Sequence, residues 1–274
     1  MAEIINFHGT PPGMNASMSW PRSGYAATFG WPATMASMTA IASAYAPGGF
    51  SIGADGLRRD ASGQVVTWNA QKLFPIHHKD FVGAYAWTGA TSMFYADREP
   101  FHFIDESERA GQDMAAISIP SIADYVGRLA DAVHTRLLIH NDGDRIPNLR
   151  ELANEDNVVS GLFLGYVSGE PFRAQVVFGH RNDDVLPPKL TEIVKAPANF
   201  GIFSGSNSVW LDMKPTATQP ESLSDAVACV RSYLRACVDN RDHYADCVKF
   251  GGHVHLASVT PDGFSWIDPP ISSL

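Results

Sequence analysis

The sequence predicts an α+β domain of antiparallel sheets with helices on their outer faces. Three observations carry this prediction. Strand-like runs are joined by hairpin signals at Pro47-Gly48-Gly49, Ser168-Gly169-Glu170-Pro171 and Pro261-Asp262-Gly263. Two Ser-x-x-Asp capping boxes, starting at Ser121 and Ser222, precede apolar runs of helical period. The order along the chain is strands, helices, strands, helices, strands, which fits two face-to-face sheets between helix layers.

Taken in order, residues 1–38 are rich in breakers (Pro11, Pro12, Gly13, Pro21, Gly24, Gly30, Pro32), nearly uncharged and without periodicity. They read as an extended arm, a removable propeptide, or an upstream stretch that is not always translated. Residues 39–274 form the domain. Thr39–Tyr45 and Phe50–Gly56 are two short strands around the Pro47-Gly48-Gly49 turn, and Asp55 lies where the second runs out. Val65–Trp68, Lys72–Ile76 and Phe81–Gly89 read as further strands, and a helix is expected from about Ala90, with Pro100 ending or kinking it. After the Ser121 cap, Ile122, Tyr125, Val126, Leu129, Val133 and Leu137 recur on one helical face, and Asn141-Asp142-Gly143-Asp144 ends that helix as a solvated turn. Val158–Val167, Phe172–Phe178, Leu190–Lys195 and Asn199–Ser204 are strands. After the Ser222 cap, Leu223, Val227, Val230, Leu234 and Val238 mark a second amphipathic helix with Cys237 beside the stripe. Gly252–Val259 and Phe264–Ile267 make the last hairpin.

Composition narrows the function classes. The 274 residues are 45% hydrophobic and 18% charged, ample for a sizeable core and unlike a disordered chain. A formal net charge of −9 without a clustered basic stripe argues against a nucleic-acid partner. No apolar run reaches the length of a membrane span, and the start lacks a basic secretory leader, so a cytoplasmic setting is the default. The three cysteines have no CxxC spacing, so neither a disulfide framework nor a zinc ribbon is expected. His253 and His255 alternate on one strand face but lack a third ligand at telling spacing, and read as packed or exposed side chains with no metal. No cofactor motif is present.

A threonine opening one strand, an aspartate closing the next and a lysine entering a third can meet at one end of a sheet. Asp55 lies sixteen positions after Thr39 (55 − 39), and Lys72, in Asn69-Ala70-Gln71-Lys72-Leu73-Phe74, lies thirty-three after it (72 − 39). This stretch resembles the start of proteasome β-type subunits and of the bacterial HslV peptidase, in the N-terminal-nucleophile (Ntn) hydrolase superfamily. The resemblance implies a four-layer αββα sandwich, a threonine-type peptidase, and a ring-like homo-oligomer. It implies Thr39 as nucleophile, Asp55 and Lys72 as its tuning couple, the Gly89 N–H as oxyanion donor, and Ser204 in Ser204-Gly205-Ser206 as a supporting hydroxyl. Ala70, Phe74 and Trp87 fall near the family's specificity-pocket positions and imply an apolar pocket, although core packing explains them equally well.

The chemistry follows from residue type. A hydroxyl needs a base beside it, and a free α-amine, with an unperturbed pKa of about 7.7–8.0, is partly neutral near pH 7. A neighbouring ammonium lowers that pKa further, and a carboxylate keeps the ammonium charged. Two departures from the family pattern matter. Met38, where family propeptides end in Gly, favours a start at Met38 followed by methionine removal. Late in the chain the family has Asp-x-x-Ser-Gly-Gly; here, aligning Gly251-Gly252 puts Phe250 at the Ser place and Cys247 at the Asp place, with Asp246 one residue early. The expected substrate is a peptide or a small amide, with any ATP-dependent unfoldase partner unknown. An amidase or acylase of the same fold and a non-catalytic ring-forming relative remain the alternatives.

Overall fold

The computed structural model describes residues 3–5, 39–60, 63–95, 97–142, 158–181, 184–195, 201–213 and 219–271. Most of the 1–38 arm therefore lies outside the described residues. Strand β1 (Glu3–Ile5) is followed by the hairpin β2 (Ile41–Ala46) and β3 (Gly49–Asp55). The turn between β2 and β3 carries Pro47 and then Gly48 at φ +99°, the left-handed backbone a type II turn needs in its second central position. This two-residue turn sets the register, with Ala46 opposite Gly49 and Ile41 opposite Ala54. One further step puts Ala40 opposite Asp55, and a slip by one residue would turn Asp55 to the other face.

The short pair β4 (Arg58–Arg59) and β5 (Val65–Thr67) leads to β6 (Leu73–His77) and β7 (Phe81–Gly89). The helix expected from Ala90 does not form there. Gly89 turns at φ +101°, Ala90 N–H donates to Val158 O at 2.8 Å, and the small hairpin β8 (Ser92–Met93) and β9 (Phe101–His102) intervenes. Pro100 disfavours helix in the residue before it, so helix α1 (Phe103–Met114) begins only after β9. Helix α2 (Ile122–Asn141) starts where its capping box predicts, with Ser121 Oγ accepting from Asp124 N–H at 3.1 Å. It ends on Asp142 in left-handed backbone, while residues 143 and 144 of the expected turn lie outside the described residues.

Strands β10 (Val159–Val167) and β11 (Glu170–Phe178) form the long hairpin, followed by β12 (His180–Arg181), β13 (Asp184–Val185), β14 (Lys189–Lys195) and β15 (Gly201–Ser204). Helices α3 (Asn207–Met213) and α4 (Leu223–Asp239), a 3-10 turn at Ala245–Lys249, and the hairpin β16 (Val254–Thr260) and β17 (Gly263–Asp268) complete the chain. The buried face of α4 centres on Ala226, Val230, Tyr233, Leu234 and Cys237. Val227 and Val238 of the expected stripe are partly buried against the same cluster, and Tyr233 and Cys237 widen it.

The strands form two main antiparallel sheets. One has the order β1-β15-β2-β3-β16-β17 and the other β14-β11-β10-β7-β6. Three apolar clusters accompany them. The first joins Ile41, Phe50, Ile52 and Ala257 of one sheet to Leu73, Ala84, Ala86 and Leu162 of the other. The second sets Tyr85, Trp87 and Phe163 against Phe103, Tyr125 and Leu129 of α1 and α2. The third sets Ala42, Ala44, Phe203 and Leu256 against Val230, Tyr233 and Leu234 of α4. The result is a mixed α+β fold in which alternating faces of β2, β3 and β7 serve different cores, as the two-residue period of strands requires.

Candidate active site

The hairpin register and the long-range strand pairing bring Asp55 and Lys72 together beside Ala40, the residue after Thr39. Asp55 ends β3 directly opposite Ala40, so its backbone N–H donates to Ala40 O at 3.1 Å. Its carboxylate oxygen Oδ1 accepts from Ala40 N–H at 2.9 Å and from Lys72 Nζ at 3.0 Å. One oxygen thus ties the lysine to the residue next to Thr39. The other oxygen, Oδ2, accepts from Gly251 N–H at 3.1 Å and Leu57 N–H at 3.4 Å. Asp55 is 0% exposed and Lys72 1%, so the pair is a fully buried charge couple with three backbone donors on its acceptor side. Burial pulls the Lys72 pKa below the usual lysine value, against the opposing pull of Asp55.

The Gly251-Gly252 turn delivers one of those donors. Val254 pairs with Asp55 across β16 and β3, which places residue 251 beside the carboxylate. Gly252 sits at φ +77°, and a Cβ there would lie 2.1 Å from Trp68 O, so the chain can pass this point only as glycine. Phe250, just before it, is buried in the cluster under α4 and contributes packing in place of a hydroxyl.

Thr39 itself is 1% exposed, and its Oγ1 is a buried hydroxyl without a hydrogen-bond partner among the described residues. Such a group costs free energy in a folded protein unless something else uses it. Its carbonyl accepts from Thr88 Oγ1 at 2.8 Å, and Thr88 Oγ1 lies 3.4 Å from Ser204 Oγ. Ser204 therefore reaches Thr39 through Thr88, a residue that sequence reasoning passed over although it directly precedes Gly89.

Asp246 does not bond Ser204. Its carboxylate accepts from Ser206 Oγ at 3.0 Å and from Ser208 N–H at 3.3 Å. Ser206 Oγ in turn accepts from Val209 N–H at 3.0 Å, capping α3. A Cβ on the intervening Gly205 would lie 3.0 Å from Ala40 Cβ, so the 204–206 turn packs against the residue following Thr39. Ser206 sits just before the helix Asn207–Met213, a place where serine serves as a cap.

Gly89 adopts left-handed backbone, and a Cβ there would lie 2.5 Å from Val158 O. The three pocket candidates separate. Ala70 lines a narrow slot beside Lys72 together with Arg58, Thr91, Ser92 and His102. Phe74 lines a different cavity, and Trp87 packs fully buried against Phe163 and Phe178. The slot mixes these polar side chains with the apolar Ala70 and Ile104, while the larger rings of Phe74 and Trp87 belong to the helix-side core. Arg58 holds Asp105 at its rim at 3.0 Å.

Behind the couple, His255 lies on β16 with Nε2 3.1 Å from Asn69 Oδ1, the first residue of the Asn-x-x-Lys run. It is 0% exposed, and burial, with lesser contributions from His253 and Lys72, pulls its pKa down to about 4. The unfolded chain binds that proton below about pH 6.5 and the folded one only near 4, so stability falls as pH drops through this window. His255→Asn should therefore show a shallower fall in urea midpoint between pH 6.5 and 4.5 than the parent. Parallel slopes would show that His255 does not titrate this way. No group of three or more metal-ligating side chains is found among the described residues.

A buried ammonium held through one carboxylate to the residue after a threonine suits one chemistry above others. It favours the neutral form of any amine close by, and a neutral amine can accept the hydroxyl proton. A peptide nitrogen cannot do this.

No protein-family model matches this chain, and no curated protein matches it. Among solved structures it is similar to Anbu (the Gly-1 mutant from Hyphomicrobium sp. strain MC1), a bacterial proteasome-like subunit with an Ntn-hydrolase-type fold. The TM-score is 0.51 at 11% sequence identity, covering 83% of this chain and 84% of that one. At that identity the likeness establishes the fold, an α+β arrangement of Ntn type, and nothing finer.

Proposed function

We propose that the chain is a threonine-type Ntn hydrolase that cleaves amide bonds, with peptides as the principal substrates. One observation carries this reading: the buried Asp55–Lys72 couple shares a carboxylate oxygen with the N–H of Ala40, next in the chain to Thr39, whose buried hydroxyl has no hydrogen-bond partner among the described residues. In this reading Thr39 supplies both nucleophile and base once its amine is free. Lys72 depresses the amine pKa, and Asp55 holds Lys72. Gly89 N–H faces the developing oxyanion. Ser204, through Thr88, and Asp246, through Ser206, brace the Thr39 end of β2. The three apolar clusters support a four-layer sandwich, with 39–274 as the catalytic domain and the 1–38 segment removed or absent from the active form.

The likeness to Anbu supports assembly as a homo-oligomer, and nothing singles out the HslV branch. No helix among the described residues is long and apolar enough to cross a membrane. A cytoplasmic setting is part of the proposal. The test is turnover by protein that starts at Thr39, offered fluorogenic peptides and simple acyl-amides side by side. Faster peptide cleavage supports the peptidase, and faster acyl-amide cleavage supports the amidase of the same fold. Turnover of neither class favours the non-catalytic relative, for which the burial of Phe250 at the family's Ser position is the specific motive.

A further inference from the structure

A second cavity adjoins the slot beside Lys72, with Gln71 lining both. It encloses about 320 Å³ between β6, β7, α1, the start of α2 and β17. Four aromatic residues, Phe74, Tyr85, Tyr125 and Trp266, line it, and its one formally charged lining residue is Glu108. We propose that this cavity binds an organic cation, an ammonium or amidinium group carried on an apolar body.

Aromatic rings attract cations through the negative potential of their faces, and a carboxylate at the rim adds charge of the matching sign. Glu108 has no ion-pair partner among the described residues; its one hydrogen bond is from Gln112 Nε2 at 3.5 Å. Of the arginines of the helix pair, Arg109 pairs with Glu106, Arg136 pairs with Glu106 and Asp113, and Arg128 is exposed on α2. Lys79 belongs to a neighbouring groove that shares Pro75 and Trp266 with the cavity. The field of Glu108 reaches the cavity wall, since it adds to the burial that raises the Tyr85 pKa. Gly111 keeps the space open: a Cβ there would lie 3.2 Å from the Tyr85 hydroxyl. The size and the mostly apolar lining with one convergent charge match a small-molecule site.

Isothermal titration of the full chain with benzamidine and with its uncharged counterpart benzamide tests the proposal without requiring turnover, so it can succeed or fail independently of the hydrolytic reading. Benzamidine should bind, and benzamide about tenfold or more weakly. Glu108→Gln, at an exposed position that should not disturb folding, should erase most of that preference, and Trp266→Leu should weaken benzamidine. Absence of benzamidine binding overturns the proposal. So does a preference that survives Glu108→Gln, or an affinity indifferent to Trp266→Leu.

Discussion

Thr39→Ala is expected to abolish hydrolysis, by a factor on the order of 10⁴ or more, while leaving the fold and its stability nearly unchanged. The two halves of this result come from the same observation. Oγ1 is buried and has no hydrogen-bond partner among the described residues, so its removal breaks no bond on the folded side. Deleting an unsatisfied buried hydroxyl is neutral or mildly stabilising and the Cγ2 methyl lost with it costs about 1 kcal/mol, so a destabilisation beyond about 2 kcal/mol would mean that Oγ1 has a structural partner. The catalytic half is stricter. Thr39→Ser keeps a hydroxyl and should retain measurable turnover, whereas undiminished turnover in Thr39→Ala would remove Thr39 from the reaction altogether.

Lys72→Met is the second large effect, and it should strike activity and stability together. The substitution keeps an unbranched apolar stem but strands Asp55 as a buried carboxylate without its counter-ion. Breaking one side of a buried pair costs about 3–5 kcal/mol, and the three backbone donors that remain on Asp55 favour the lower end. Loss of the ammonium also removes the pressure that keeps a neighbouring amine neutral, so turnover should fall about 10²- to 10⁴-fold, the range of general-base catalysis. Chemical unfolding and kinetics on one preparation separate the two. A destabilised variant with normal turnover would make Lys72 a purely structural residue.

The parts of this architecture visible in the sequence are those set by short-range rules. The Pro47-Gly48 turn fixes the β2–β3 register and with it the Ala40–Asp55 pairing, and Ser121 and Ser222 mark the starts of α2 and α4. The parts that were not visible depend on long-range pairing. Gly251 meets Asp55 across 196 positions, and Ser206 meets Asp246 across 40, contacts that no local pattern announces. The late start of α1 is not legible because a left-handed Gly89, with Ala90 bonded to Val158 just ahead of β10, outweighs the helical propensity of the residues that follow. Phe74 and Trp87 were ambiguous because a two-residue period shows that a side chain shares a face, without showing whether that face meets a helix or a slot.

In the proposed mechanism one residue carries both hydroxyl and amine next to the buried couple, and the amine exists only when Thr39 begins the chain. Intact mass and N-terminal sequencing of the protein fraction that carries amide-hydrolysing activity decide this. Activity should travel with the species beginning at Thr39. Equal activity in a species whose Met38–Thr39 peptide bond is intact would contradict the account.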